Sequence, residues 1–139
     1  GPRLITVKTV GPRKVGRSLR MDYVPMLCMH CGDPACIKAC PENAIYKRED
    51  GIVLIDEDAI CTGCKLCIDA CPVGAMQYLI EKETVVKCTY CVERIDAGKI
   101  PACVNSCPTH AMKFGDVNEV ALTIRQKAAE RFTREASYT

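Results

Sequence analysis

Apolar and polar positions alternate in two short stretches of the chain and recur with a helical period in a third. Ile45-Tyr46-Lys47 and Ile52-Val53-Leu54-Ile55 flank Arg48-Glu49-Asp50-Gly51, and the Asp-Gly pair is a turn signal, so this spacing predicts a β-hairpin. Met76 to Ile80 and Thr84 to Lys87 flank Glu81-Lys82-Glu83 and predict a second hairpin. Near the C-terminus Val120, Ile124, Ala128 and Phe132 recur at i, i+4, which predicts a helix over about residues 119–132. Asp116 or Asn118 is its expected cap, its apolar stripe is expected to pack on the domain or a partner, and the tail after Arg134 is expected to fray.

Composition limits what these elements can build. The 139 residues fit one domain or two very small ones, and the 48% hydrophobic fraction falls to about 40% once twelve cysteines are set aside. With no Trp, two Phe and five Tyr, the apolar stock is thin, and scaffolds of this size are commonly stapled by disulfides or metal centres. Arg3, Lys8, Arg13, Lys14, Arg17 and Arg20 come without an acidic residue in the first twenty positions, so residues 1–23 read as a solvated basic arm. Docking of that arm onto an acidic partner surface is the second reading, and nucleic-acid binding is not expected. No apolar run approaches 18 residues, so no direct membrane insertion is expected. The chain begins at Gly1-Pro2, shows neither a signal-peptide core nor a twin-arginine signal, and is expected to be cytoplasmic.

The cysteines change the picture. They form three groups of four, each ending in Cys-Pro: Cys28-x2-Cys31-x4-Cys36-x3-Cys40, Cys61-x2-Cys64-x2-Cys67-x3-Cys71, and Cys88-x2-Cys91-x11-Cys103-x3-Cys107. The regular gaps and prolines argue against six disulfides, and zinc ribbons space their pairs more widely. The middle group matches the bacterial ferredoxin run C-x2-C-x2-C-x3-C-P, which binds a 4Fe-4S cluster through thiolates. Three 4Fe-4S clusters are therefore expected as cofactors, and their thiolates and metal cores would bring the formal charge of +2 to about −4. Cluster binding would supply much of the folding free energy, so an iron-free chain is expected to be largely unfolded.

The repeat extends past the cysteines. Cys40-Pro41-Glu42-Asn43-Ala44-Ile45, Cys71-Pro72-Val73-Gly74-Ala75-Met76 and Cys107-Pro108-Thr109-His110-Ala111-Met112 share the pattern Cys-Pro-x-x-Ala-apolar. Proline turns the chain out of a short helix, alanine allows close packing, and the apolar residue opens a strand. In two-cluster ferredoxins the fourth cysteine of a run ligates the other cluster. Applied here, the first cluster takes Cys28, Cys31, Cys36 and Cys71, and the second takes Cys61, Cys64, Cys67 and Cys40. The third takes Cys88, Cys91, Cys103 and Cys107, with Val92 to Ala102 as an inserted loop. A site completed by a partner chain, or a 3Fe-4S centre, is the competing account of the third group. The fold class expected is α+β: ferredoxin-like βαβ cluster-binding repeats with short hairpins and a C-terminal helix. The expected division is an arm at 1–23, a polyferredoxin domain at 24–116, and a helix and tail at 117–139.

Cys28-Met29-His30-Cys31-Gly32-Asp33-Pro34-Ala35-Cys36, Cys61-Thr62-Gly63-Cys64-Lys65-Leu66-Cys67 and Lys87-Cys88-Thr89-Tyr90-Cys91-Val92-Glu93-Arg94 with Pro101-Ala102-Cys103 resemble the dimethyl sulfoxide reductase electron-transfer subunit family, over roughly residues 24–116. That resemblance implies a hetero-oligomer in which clusters pass electrons to or from a catalytic redox subunit, often a molybdenum or tungsten pterin enzyme of anaerobic metabolism. Such families usually carry four cysteine groups, whereas residues 1–27 hold no cysteine. The resemblance then points to three-cluster subunits of the tungsten aldehyde oxidoreductase and benzoyl-CoA reductase type.

The function expected is thus a non-catalytic electron-transfer subunit working by one-electron hops. Alternatives are a redox-sensing or structural iron–sulfur protein, or an electron carrier for a hydrogenase or carbon monoxide dehydrogenase. His30, His110 and Tyr90 lie inside cluster motifs and are expected to pack beside the clusters, Tyr90 as a shielding ring. Lys38, Lys65 and Lys87 are expected to be solvated, with an effect on potentials only where they approach sulfur.

Overall fold

The computed structural model describes residues 1–136 and divides into two compact units, Gly1–Tyr90 and Cys91–Thr139. In the first unit β1 (Ile5–Val15) and β2 (Ser18–Leu27) form an antiparallel ribbon. Then come helix α1 (Ala35–Lys38), the hairpin β3 (Ile45–Lys47) and β4 (Val53–Ile55), helix α2 (Leu66–Asp69), and the hairpin β5 (Gln77–Leu79) and β6 (Thr84–Val86). Each sheet has two strands, so the mixed strand-and-helix content expected from the sequence is present, with every hairpin antiparallel.

The two predicted hairpins form where the alternation placed them. Ile45 pairs with Ile55 and Lys47 with Val53, and Gly51 (φ 88°) donates to the Arg48 carbonyl at 3.0 Å to close the turn. Gln77 pairs with Val86 and Leu79 with Thr84, the connection being a 3-10 turn over Ile80–Lys82 ending at Glu83 in a left-handed conformation. Their inward residues Ile45, Val53, Met76 and Val85 form the core together with Cys67. Ile37, Ile55, Ile68, Tyr78 and four further cysteines, Cys36, Cys40, Cys61 and Cys71, pack against it. A hydrocarbon core this small is continuous with the thiols, so whatever the thiols hold is also part of the packing.

Residues 1–23 are more ordered than an arm: most of them belong to the ribbon. Gly16 (φ 59°) opens a two-residue turn between Val15 and Ser18, the position where hairpin turns favour glycine. A register shift between Val10 and Arg13 falls at Gly11 (φ 125°), where a β-carbon would stand 2.8 Å from the Arg20 carbonyl oxygen. Asp22 gathers Arg13 (2.6 Å) and Arg20 (2.8 Å) on one face, and these guanidiniums hold its carboxyl below the usual range, Arg20 most of all. Gln77 fastens the base of the ribbon, accepting from the Arg3 amide at 2.7 Å and donating back to its carbonyl at 2.5 Å.

The second unit holds α3 (Val92–Asp96), α4 (Ala102–Asn105) and α5 (Val117–Ala136). Val92 to Ala102 is therefore not a plain inserted loop. It contains α3, a turn at Gly98 (φ 69°), and an Arg94 side chain that donates to the Ile100 carbonyl at 3.0 Å. Asp116 rather than Asn118 caps α5, accepting from the Asn118 amide at 2.8 Å. The helix outruns its expected end at 132, continuing through Arg134 to Ala136, and the rest of the expected frayed tail, 137–139, lies outside the described residues. Within the stripe Val120 and Ala128 are half-buried while Ile124 and Phe132 stay exposed.

Candidate metal centres

The three Cys-Pro groups share one backbone design that the sequence only partly disclosed. Each third cysteine is the second residue of a four-residue helix: Cys36 in α1, Cys67 in α2, Cys103 in α4. Each fourth cysteine then closes the helix by donating its amide one turn back, Cys40 to Ile37, Cys71 to Ile68 and Cys107 to Val104, at 3.1, 3.2 and 3.3 Å. After the proline comes a left-handed residue, Asn43 (φ 51°), Gly74 (φ 62°) or His110 (φ 49°). That twist turns the next amide back on the cysteine, so Ala44, Ala75 and Ala111 donate to the sulfurs of Cys40, Cys71 and Cys107, each at 3.3 Å. Alanine's role in the repeat is thus carried by its N–H. His110 serves as the left-handed residue of the third turn.

A second left-handed residue precedes the second cysteine of every C-x2-C pair: His30 (φ 43°), Gly63 (φ 66°) and Tyr90 (φ 61°). Only Gly63 is a residue for which that conformation is cheap. Its missing side chain also matters, because a β-carbon there would stand 2.6 Å from the Glu83 carbonyl oxygen.

All twelve cysteines are free thiols. Four of them, Cys28, Cys31, Cys36 and Cys71, line one cavity together with His30, Val53 and Met76. Another four, Cys40, Cys61, Cys64 and Cys67, line a second cavity with Ile45, Ile55 and Val85. The structure thus brings together the first three cysteines of each run with the fourth of the other. Cys88 is a buried residue of the first unit, with its sulfur accepting from the Tyr90 amide at 3.4 Å, and Cys91, Cys103 and Cys107 belong to the second unit. The Thr109 hydroxyl and the Ala111 amide hold the Cys107 thiol down to about 7.

These sites suit a polynuclear cluster. Four cysteines line each cavity, whereas a single zinc ion needs its ligands converging at about 2.3 Å, and no such convergence of three ligands occurs among the described residues. Burial pushes the Cys67 thiol up to about 11 and raises Cys36, so a cavity kept by apolar side chains would be a poor place for bare thiolates. A bound metal core supplies the compensating charge. The His30 ring carries a further sign. Its Nδ1 accepts from the Val53 amide at 3.0 Å, which leaves the proton on Nε2. Nε2 is buried with no hydrogen-bond partner, on a ring that lines the first cavity, and burial helped by the Lys87 charge pushes the imidazole down to about 4. A sulfide in that cavity would satisfy the orphan donor.

Of the three lysines expected to be solvated, Lys38 conforms, pairing with Asp33 at the surface. Lys65 is exposed but lies over the Tyr78 ring, 4.2 Å from its centre. Lys87 departs from the expectation: it is 4% exposed and donates to the carbonyls of Val53 and Cys88. The predicted strand Thr84 to Lys87 ends at Val86, and the hydropathy of these residues gave no hint of the burial, because the partners that hold Nζ come from another hairpin and from the cysteine after it. Tyr90 packs its ring on His30 at 4.7 Å between centres.

Comparison with known proteins now adds to the geometry. A family model described as a 4Fe-4S dicluster domain matches residues 19–117. The chain belongs to that family. It is 50% identical over 98 residues to the B component of the anaerobic dimethyl sulfoxide reductase of Escherichia coli, covering 70% of this chain and 47% of that one. The B component of the tetrathionate reductase of Salmonella typhimurium is 46% identical over 96 residues, 69% of this chain and 38% of the relative. Its counterpart in the sulfite dehydrogenase of Allochromatium vinosum is 40% identical over 124 residues, 81% and 51% respectively. The expected resemblance to iron–sulfur electron-transfer subunits therefore holds. The chain spans about half the length of the curated relatives it matches, so the lack of cysteine in residues 1–27 does not bear on how many clusters the whole protein carries. Among the described residues no helix is long and apolar enough to cross a membrane.

Proposed function

We propose that this chain is the cluster-bearing part of an electron-transfer subunit, with one 4Fe-4S cluster on Cys28, Cys31, Cys36 and Cys71 and a second on Cys61, Cys64, Cys67 and Cys40. The observation that supports the reading is that Cys71 lines the cavity of Cys28, Cys31 and Cys36 while Cys40 lines that of Cys61, Cys64 and Cys67. Cys88, Cys91, Cys103 and Cys107 are the ligands of a third cluster in this proposal, supported by the third copy of the turn that donates an amide to the last sulfur. When bound, such clusters supply reversible one-electron oxidation and reduction.

The residues around them do the rest. The Ala44, Ala75 and Ala111 amides stabilise negative charge on three cysteine sulfurs, and the apolar core keeps water from the paired sites. Exchange of Cys40 and Cys71 ties the two sites side by side, which keeps the hop between them short. No nucleophile or open ligand position is needed for that task, and the chain acts as a conductor for a catalytic subunit within a hetero-oligomer. The names of its relatives, components of reductases and a dehydrogenase, support an oxidoreductase partner, and we favour a molybdenum or tungsten pterin enzyme. Cytoplasmic residence belongs to the same proposal.

The test is anaerobic purification followed by iron and sulfide analysis and EPR during reductive titration. About twelve irons per chain with reversible reduction are expected. About eight would remove the third cluster alone, and zinc in place of iron, or clusters that cannot be reduced and reoxidised, would overturn the reading.

A further inference from the structure

The ribbon of β1 and β2 has two unlike faces, and its register fixes which residues stand on each. Paired residues share a face, and side chains alternate between faces along a strand. Ile5 with Leu27, Val7 with Pro25 and Thr9 with Tyr23 therefore lie on one face, which Met21 and Leu19 continue toward the tip. The Tyr23 hydroxyl donates to the Met21 sulfur at 3.1 Å, in keeping with that shared side. Beyond its half-buried base this face is apolar and open: Val7 is 59% exposed, Tyr23 65% and Leu19 77%. Its one charge is Lys14, which pairs with Leu19. The opposite face carries Lys8 with Val24, Val10 with Asp22 and, past the register shift, Arg13 with Arg20. Three cations there stand with one carboxylate, which both guanidiniums engage.

A two-stranded hairpin by itself is marginally stable in water. Among the described residues no other helix or strand packs along this one. It is tied to the body at its base, where Gln77 exchanges hydrogen bonds with the Arg3 backbone and Leu27 runs directly into Cys28. Single apolar residues on a surface need no explanation, but a continuous apolar strip marks an interface.

Area and charge decide what covers it. Ten residues at about 3.3 Å each span about 33 Å, and two strands make a width of about 10 Å, so one face offers roughly 330 Å². A second copy of the chain laid on the apolar face would bury that much per partner, well short of the roughly 800 Å² of a standard interface. A cleft that takes both faces doubles the area to roughly 660 Å², and the ribbon's edges add to it. Such a cleft needs unlike walls, because Lys8, Arg13 and Arg20 can be desolvated cheaply only against negative charge. We propose that the ribbon is a docking arm that inserts into a cleft of the catalytic subunit, with an apolar wall against Val7, Tyr23 and Leu19 and an acidic wall against Lys8, Arg13 and Arg20. This rests on the proposed role beside such a subunit.

The test uses the complex purified anaerobically through this chain. Its redox-enzyme subunit is identified by mass spectrometry, separated, and titrated back onto the cluster-loaded chain. Leu19→Asp puts a charge on the apolar face, and Lys8→Glu reverses one on the basic face. Both positions are exposed, so iron content and visible absorbance should match wild type. We expect each variant to weaken the Kd for that subunit at least tenfold, and added salt to weaken wild type more than Lys8→Glu. In the intact complex, a photo-cross-linking residue in place of Tyr23 should join the catalytic subunit. Binding of both variants within threefold of wild type overturns the proposal, and so does a cross-link from position 23 to a second copy of the chain. Capture by phosphatidylglycerol vesicles that both variants abolish, with the subunit still bound normally, would assign the arm to a lipid surface and overturn it too. Should a variant fail to hold its clusters, the cross-link in the otherwise wild-type complex decides the matter. A chain that purifies without iron or without a redox enzyme refutes the proposed function and this inference with it, whereas the other failures refute the docking arm alone.

Discussion

Gly63→Ala is the substitution that most sharply tests whether the C-x2-C turn has the stated geometry. Gly63 sits at φ 66°, where an L-residue costs roughly 1–2 kcal/mol relative to glycine. The new β-carbon would also meet the Glu83 carbonyl oxygen at 2.6 Å and the Tyr78 ring at 3.3 Å. The first neighbour is backbone at the end of the 3-10 turn, so it can yield only if the β5–β6 connection moves. Conformational cost and contact together predict destabilisation of at least about 2 kcal/mol. Loss of the visible absorbance of the cluster-loaded chain in a denaturant series, run beside circular dichroism, measures it. His30 and Tyr90 occupy the equivalent position without glycine, which makes them internal controls. His30→Gly relieves the backbone cost but removes the ring from the first cavity, so its effect should fall on the first cluster's spectrum more than on global stability. A Gly63→Ala protein within about 0.5 kcal/mol of wild type would refute the close approach to Glu83.

Three further outcomes follow from the same geometry. Cys71→Ser, although it lies in the second run, should perturb the EPR signal of the first cluster, and Cys40→Ser that of the second; effects confined to each cysteine's own run would disprove the exchange. Removal of iron by a chelator under reducing conditions should abolish the far-ultraviolet circular dichroism of the hairpins, because five of the thirteen core and flanking residues are cysteines; a native spectrum in the iron-free chain would count against that dependence. Asp116→Ala should cost about 1 kcal/mol through loss of the α5 cap while leaving the potentials of the first two clusters unchanged; a thermal melt followed at 222 nm checks it.

Much of the site was legible in the chain because ligand spacing is a local, one-dimensional property. The x2 and x3 gaps become a C-x2-C turn and a four-residue helix whatever surrounds them, and the alternation about Asp50-Gly51 gave the β3–β4 hairpin to within one residue, β4 starting at Val53 and not at Ile52. What remained hidden was set by neighbours distant in sequence. The ribbon of residues 5–27 was read as an arm because its charges dominate the count, although Gly16 between Val15 and Ser18 is a usable hairpin signal. The x11 gap was read as a loop because Val92 to Asp96 is too short to show a helical period. Lys87 looked solvated because nothing adjacent to it reveals that the Val53 carbonyl lies within reach.

The left-handed residues explain why three groups with different spacers can converge on one design. A cysteine sulfur that holds a cluster keeps excess negative charge and needs a donor, and the nearest one is a main-chain amide. In a helix those amides are committed to carbonyls one turn back, so the chain must leave the helix and reverse its twist to offer one. Proline after the fourth cysteine does the first, and Asn43, Gly74 or His110 does the second. The three residue types differ in every respect except tolerance of that conformation, since Asn and His visit it more readily than most non-glycine residues. His110, which as a side chain invites comparison with a ligand or proton carrier, therefore has a sufficient reason to be where it is in its backbone alone: it presents the Ala111 N–H to Cys107, as Asn43 and Gly74 do for Cys40 and Cys71.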